Sequence, residues 1–300
     1  MPPEPIYIPE DVTPAYQLRF NWTGWLTESR PRPCLGQKTF EELTGRWERD
    51  GIRILEQDWA DNRASLLASV KPRVSPTFFA ARIKGRLQHA FRQQNEPVTF
   101  RRKFSVRTVG EARRSTIEAY VGQQVENESL ADPKFADFLE QFTIVNDAVD
   151  LSQPISTDSG RYWYNLHLVL VIRDRVRLVD ESWLGKIRDL CLRIAAKKGH
   201  RISALSVMPD HLHLVLGGSV EQAPCEVALS YMNNIAYALG QDALWETSFY
   251  VGSFGEYSMN AIRRACRSDS PAGQARRGLR GGCAVSRQIG RLFRRSTPAS

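Results

Sequence analysis

The sharpest chemical feature of the sequence is the run Met208-Pro209-Asp210-His211-Leu212-His213-Leu214-Val215-Leu216. Side chains two residues apart on a strand share a face, so His211 and His213 present two imidazoles side by side. Two imidazoles make half of a divalent-metal site, and the other ligands must come from elsewhere in the chain. A nucleotide hydrolase built on three alternating histidines would need a third at 215, where Val215 stands. The cysteines supply no alternative. Cys34, Cys191, Cys225, Cys266 and Cys283 are scattered, with no C-x-x-C. That odd set fits a reducing cytoplasm and argues against a disulfide scaffold or a cysteine zinc site.

These residues need a frame, and the chain supplies it twice. A polar, turn-rich stretch, DLSQPISTDSG, breaks the composition near 150–160. After it, YWYNLHLVLVI (162–172) reads as a strand, and Trp183, Leu184, Ile187, Leu190, Cys191 and Ile194 space an amphipathic helix over about 181–198. RISALSVMPDHLHLVLGG reads as two strands broken at Pro209-Asp210. A helix over about 224–239, an aromatic strand pair WETSFYVGSFG and a last helix from about 258 follow. The first half repeats the layout. LRFNWTGWL (18–26) opens it, a helix runs from Phe40 to Arg49, and Ile52 to Val70 holds two strands. Ser75-Pro76 caps a helix carrying Phe79, Ile83, Leu87 and Phe91, and FRRKFSVRTVG matches WETSFYVGSFG. Ser115 and Glu118 form a capping box for a helix with Ile117, Tyr120 and Val121. We read two tandem β-α-β-β-α-β-α units of about 120 residues each, an internal duplication.

The boundaries that follow are a Pro-rich N-terminal segment 1–15, one domain at 16–150, a second at 151–270 and a flexible basic tail at 271–300. At 42% hydrophobic and 25% charged, the 300-residue chain has a soluble globular profile, which excludes fibrous repeats and wholesale disorder. No apolar run approaches the roughly 20 residues of a membrane helix. The N-terminus lacks the apolar core of a signal peptide. The net charge is +8, but seven of the 41 Lys and Arg fall in 271–300 together with none of the 33 acids, so the body before it is near neutral.

With its surroundings, the His-x-His run resembles the signature (His, bulky hydrophobic, His) of the HUH single-tyrosine transposases, the insertion-sequence and REP-associated tyrosine transposases. The resemblance rests on PDHLHLVL after a strand, on NLHLVLVI as an opening strand with His167, and on F-x-V-x-T-V-G before a final helix. It covers about 16–125 and 160–270. It implies an α+β fold of two ferredoxin-like HUH domains, each a central antiparallel sheet with helices, paired about a pseudo-two-fold axis. Family members are homodimers whose sites combine the histidines of one subunit with the tyrosine helix of the other.

The two halves depart from the family pattern in complementary ways. In Glu118-Ala119-Tyr120-Val121-Gly122-Gln123-Gln124, Tyr120 and Gln124 stand one helical turn apart and match the family's tyrosine and metal-binding glutamine. Laying Asp61–Leu67 on Asp210–Leu216 puts Asn62 and Ala64 where histidines belong, and the second half shows Ala265 and Asp269 in place of tyrosine and glutamine. Together the halves hold one complete set: catalytic Tyr120, with His211, His213 and Gln124 for Mg²⁺ or Mn²⁺. The implied activity is metal-dependent cleavage and rejoining of single-stranded or hairpin DNA through a 5′-phosphotyrosine, in the bacterial cytoplasm at the nucleoid. A second copy or a partner transposase would complete excision. Two other readings are a domesticated protein that binds hairpins without cutting and a metal-dependent nuclease that uses water.

Arg82, Lys84, Arg86 and Arg92 on the helix after Pro76, with Arg101, Arg102 and Lys103, form the expected DNA-binding surface, since the equivalent helix EVALSYMNNIAYALG has one charge, Glu226. The acid-free tail is a second phosphate-binding candidate. Deleting 271–300 is expected to weaken DNA binding and flatten its salt dependence while cleavage persists, as read by titrations at several salt concentrations. An unchanged slope would leave the tail without a role in binding.

Overall fold

The computed structural model describes residues 4–28, 35–94, 98–127 and 133–256. The expected helix from about 258, with Ala265 and Asp269, the basic tail, and Cys34, Cys266 and Cys283 lie outside the described residues. The first half comprises β1 (Thr13–Gln17), β2 (Arg19–Leu26), α1 (Gln37–Arg49), β3 (Ile52–Ala60), β4 (Arg63–Val70), α2 (Pro76–Gln93), β5 (Phe100–Thr108) and α3 (Arg114–Gly122). Then come α4 (Gln124–Asn127), α5 (Pro133–Glu140), β6 (Thr143–Val145), β7 (Ile155–Ser156) and β8 (Gly160–Trp163). The second half has β9 (Asn165–Ile172), α6 (Glu181–Lys198), β10 (Arg201–Val207), β11 (His211–Gly217), α7 (Pro224–Ala238) and β12 (Trp245–Phe254). Among these residues no helix is long and apolar enough to cross a membrane.

The fold is α+β, with two ferredoxin-like units. β2-α1-β3-β4-α2-β5 gives the strand order β3-β4-β2-β5, and β9-α6-β10-β11-α7-β12 gives β10-β11-β9-β12, the same arrangement twice. Helix ends follow local chemistry. The Ser75 hydroxyl accepts the Phe78 N–H ahead of Pro76, Asp180 accepts from Trp183, and Gly199 closes α6 with a φ of +70°. α2 packs Phe79, Ile83, Leu87 and Phe91 under the first sheet, whereas α7 is buried on most sides.

The two sheets are not separate. β1 lies parallel to β12 at the edge of the second sheet, while β8 lies parallel to β5 in the first, with the two-residue β7 outside it. The two exchanges are equivalent, for Tyr16 pairs with Val251 as Tyr162 pairs with Val106. Where they cross, Thr108 Oγ1 accepts the Asn165 N–H at 3.0 Å and reaches the Phe254 carbonyl at 2.6 Å. Ser253 Oγ repeats this, accepting the Arg19 N–H at 2.9 Å and donating to the Val109 carbonyl at 2.8 Å. This repetition is the pseudo-two-fold axis. Phe20 meets Tyr164 edge-on beside it, 5.9 Å between ring centroids, so one apolar cluster runs through both halves.

Several expectations shift. The run 162–172 is two strands, β8 and β9, serving different sheets, because the Thr108 hydroxyl holds the chain where it turns from one to the other. WETSFYVGSFG is one strand with an irregularity between Trp245 and Phe249 rather than a pair. Ser115 does not cap α3, which begins a residue earlier at Arg114 with no side-chain cap, and Glu118 pairs with Arg114 at 3.2 Å. The Pro-rich N-terminal segment is stitched onto the second half: Asn233 brackets the Tyr7 backbone, and the Tyr7 hydroxyl accepts the Trp245 N–H at 2.7 Å. Likewise β6 pairs with β10, so the break near 150–160 separates the ferredoxin units without separating the sheets.

Gly110 and Gly255 flank the crossing. A Cβ at Gly110 would overlap the Ser253 carbonyl oxygen, and one at Gly255 would overlap that of Thr108. Gly110→Ala and Gly255→Ala are each expected to cost about 1–3 kcal/mol in denaturant unfolding. Gly85→Ala on α2, with open space around it, is expected to be neutral or to stabilise by up to about 1 kcal/mol.

Candidate active site

β11 alternates between two environments. Leu212, Leu214 and Leu216 belong to the main core, while His211, His213 and Val215 look the other way, toward α3. This helix leaves the first half after β5 and packs across β10 and β11 of the second sheet. Its docking is set at its start, where the Arg114 N–H donates to the Gly255 carbonyl at 2.9 Å and the Arg114 side chain pairs with Glu256 at 2.5 Å. Along it, Ile117 and Val121 bury against Ala204, Val215, Leu151 and Phe254. Tyr120, half-buried, is left over the histidines. Its ring stands edge-on to His213 at 5.7 Å and to His167 at 6.3 Å between centroids.

Three imidazoles share this face. His211 and His213 are 4.9 Å apart between centroids, and His167 on β9 stacks on His213 at 5.3 Å. The sequence motif had included His167 without a role. The signal was its place on the neighbouring strand, where its register puts it beside Val215. His213 Nδ1 is hydrogen-bonded to His167 Nε2 at 3.0 Å, and His211 Nδ1 to Asp210 at 2.6 Å. Nε2 is then the donor each of His211 and His213 would offer. Burial lowers His167 to about 4, and burial together with its two histidine neighbours holds His213 well below its ordinary value. Both rings are neutral near pH 7, the form that ligates a metal. Burial alone would raise Asp210, but the bond to His211 and the Arg175 ion pair at 2.7 Å keep it low and ionised. Tyr250, against His167, is pushed up to about 12 by burial and is a neutral phenol.

Gln124 sits differently from the expectation. α3 ends at Gly122, Gln123 caps it, and Gln124 opens α4, so it does not continue the helix of Tyr120. It is 5% exposed and its Oε1 is buried without a hydrogen-bond partner. Such an oxygen is costly unless something is meant to meet it. Among the described residues no group of three or more His, Cys, Asp or Glu could hold a metal, so a third protein donor would be an oxygen of another type, such as an amide.

The decayed half has a different face from the one expected. Ser65 pairs with Thr23, and Thr23 with Ser105, as His213 pairs with Val169 and Val169 with Tyr250. The positions equivalent to His211 and His213 are therefore Arg63 and Ser65, while Ala64 is buried in the core. The turn between β3 and β4 is one residue shorter than that between β10 and β11, and a one-residue slip moves each side chain to the other face. The conclusion that this half has no imidazole pair stands.

The expected DNA-binding cations divide. Arg82 and Arg86 both pair with Asp50, at 3.2 and 2.7 Å, and Lys84 Nζ donates to the Arg101 and Arg102 carbonyls. Arg101 bonds the Leu26 carbonyl and Arg102 lies 3.9 Å from Asp158. Arg92 and Lys103 are exposed.

ISDra2 transposase TnpA of Deinococcus radiodurans is 33% identical over 121 residues, 37% of this chain and 86% of that protein. A crystal structure of a transposase from Deinococcus radiodurans R1 is 23% identical, covering 36% of this chain and 92% of its own, with a TM-score of 0.27. A REP-associated tyrosine transposase bound to a REP hairpin is 13% identical, covering 35% and 62%, with a TM-score of 0.28. The family described as "Transposase IS200 like" matches twice, over residues 35–124 and 161–265, together well over half of the sequence. This chain, a tandem duplication with one copy of the match in each half, belongs to the IS200-like transposase family.

Proposed function

We propose that the chain cuts and rejoins single-stranded or hairpin DNA at one composite site, with Tyr120 from the first half as nucleophile and His211 and His213 from the second as metal ligands. The observation that carries this reading is the Tyr120 ring lying against His213, across the junction of two halves that each lack a full set. The Tyr120 oxygen attacks the scissile phosphorus and the phenol gives up its proton. The P–O3′ bond breaks, the 3′ oxygen takes a proton, and DNA is left joined to Tyr120 through its 5′ phosphate. The new ester keeps the energy of the old one, so a 3′-hydroxyl can reverse the step without ATP. Mg²⁺ or Mn²⁺, held by His211, His213 and the buried Gln124 oxygen, would polarise the phosphate and offset its developing charge. A phenol with a pKa near about 10 is a poor nucleophile at neutral pH, so positioning by α3 carries much of the task. His167 acts through His213, holding its Nδ1 and so its tautomer. With Tyr120 as its one nucleophile, the site holds one DNA end at a time, and full excision would draw on a second copy or a partner transposase.

A covalent protein–oligonucleotide band on a denaturing gel tests the chemistry. Tyr120→Phe, His211→Ala, His213→Ala and chelation of the metal are each expected to abolish it, while Asn62→Ala leaves it intact. Cleavage surviving Tyr120→Phe would mean a water-using nuclease. Hairpin binding with no adduct under any metal would mean a non-catalytic DNA-binding protein. His167→Ala is expected to slow adduct formation about 10–100-fold without removing it.

A further inference from the structure

We propose that the outward face of the first sheet, where the second copy of the site has lost its chemistry, binds single-stranded DNA without cutting it. The inference rests on the DNA-processing reading only for the identity of the polyanion. Strand register arranges this face in rows. One runs Ser65, Thr23, Ser105, Arg161, and the next runs Leu67, Asn21, Arg107, Trp163. Arg63 and Trp25 pair at one end of the face.

In the catalytic half the row matching the second of these is Val215, His167, Gly252, Gln17. Where that half has an imidazole, a glycine and an amide, this half therefore has an amide, a guanidinium and an indole. Arg53, Arg63, Lys103, Arg107 and Arg161 are all exposed, and two acids of β3 oppose them, Glu56 across from Leu67 and Asp58, which pairs with Arg63 at 3.2 Å. The Arg107 guanidinium lies 3.6 Å from the centre of the Trp163 ring, and Trp25 is 37% exposed. A cationic sheet with aromatic rings and short hydrogen-bonding side chains between them is a stacking platform for unpaired bases. Asn21, Thr23 and Ser65, linked by bonds of 3.1 to 3.4 Å, supply the polar edge.

A pocket opens on the same face beside the Arg107–Trp163 pair, lined also by Asn21, Asn165 and Glu256. Asn165 is 1% exposed and its Oδ1 has no hydrogen-bond partner, an acceptor suited to the exocyclic amino group of a base. Glu256, at the pocket wall, is the residue that pairs with Arg114 at the start of α3. A strand on this face thus approaches the helix that carries Tyr120. Charge excludes the chain's own tail as occupant, since 271–300 is itself acid-free and rich in arginine. A sheet surface offering the exposed Trp25 ring and a half-buried Trp163 under its guanidinium favours splayed single strands over a stacked duplex.

The test uses the full chain carrying Tyr120→Phe, so that binding is read apart from cutting. The probe is a fluorescent oligodeoxythymidine of about twenty nucleotides, followed by anisotropy over a range of salt. Replacing Arg63, Arg107 and Arg161 by Gln together is expected to weaken binding at least tenfold and to reduce the salt slope by about 2. Trp163→Leu is expected to cost about tenfold with the slope unchanged, and Trp163→Phe to restore most of it. If the triple variant lowers the thermal midpoint, Arg161→Gln alone carries the test, with a slope change of about 0.7. Wild-type affinity and slope in correctly folded variants would overturn the proposal. So would a loss confined to a duplex or hairpin probe. An adduct that still forms while this face binds nothing would overturn the inference alone. Strand binding without any adduct would overturn only the proposed chemistry.

Discussion

Everything functional in this molecule depends on the crossing at Thr108 and Ser253. Two equivalent hydroxyls each hold the first amide of the opposite half's opening strand, and two glycines let the backbones pass within contact. That junction does more than join two domains. It sends β1 and β8 to the opposite sheets and delivers α3, with Tyr120, onto the strand that bears the histidines. In a chain with separable halves, the tyrosine and the imidazoles would have no reason to meet.

The junction also explains how each half can be incomplete. If, as proposed, the site is assembled from the tyrosine helix of one half and the histidine strand of the other, a fused chain can keep one composite and release the second from constraint. On the Tyr120 side of the second sheet, three buried imidazoles and the ionised Asp210 share one face, a costly arrangement that stability alone does not favour. In the released composite, the equivalent positions hold arginines, serines and an indole, which cost little at a surface.

Much of the fold was legible because duplication repeats the hydrophobic pattern; strand periodicity puts His211 and His213 on one face, whereas Tyr120 stood out only through the resemblance to the family's tyrosine helix. What escaped was tertiary. The helix start at Arg114 is set by the Gly255 carbonyl, a bond no local capping rule contains. The run from Tyr162 to Ile172 looks like one strand, since nothing in its residue types reveals that two sheets divide it. Arg82 and Arg86 look like a phosphate-binding row until Asp50, distant in sequence, meets both. A turn one residue shorter turned Asn62 and Ala64 into Arg63 and Ser65 at the face of the decayed site. Gln124 was expected on the helix of Tyr120, and Gly122 ends that helix before reaching it.

The central claim is that one chain builds its own site across its two halves. Mixing a Tyr120→Phe chain with a His211→Ala chain and assaying the covalent adduct tests this most directly. Within a fused chain both lesions strike the same composite site, so the account predicts no adduct from the mixture, as from either variant alone. Recovery of the adduct on mixing would show that tyrosine and histidines come from different chains, and would contradict it.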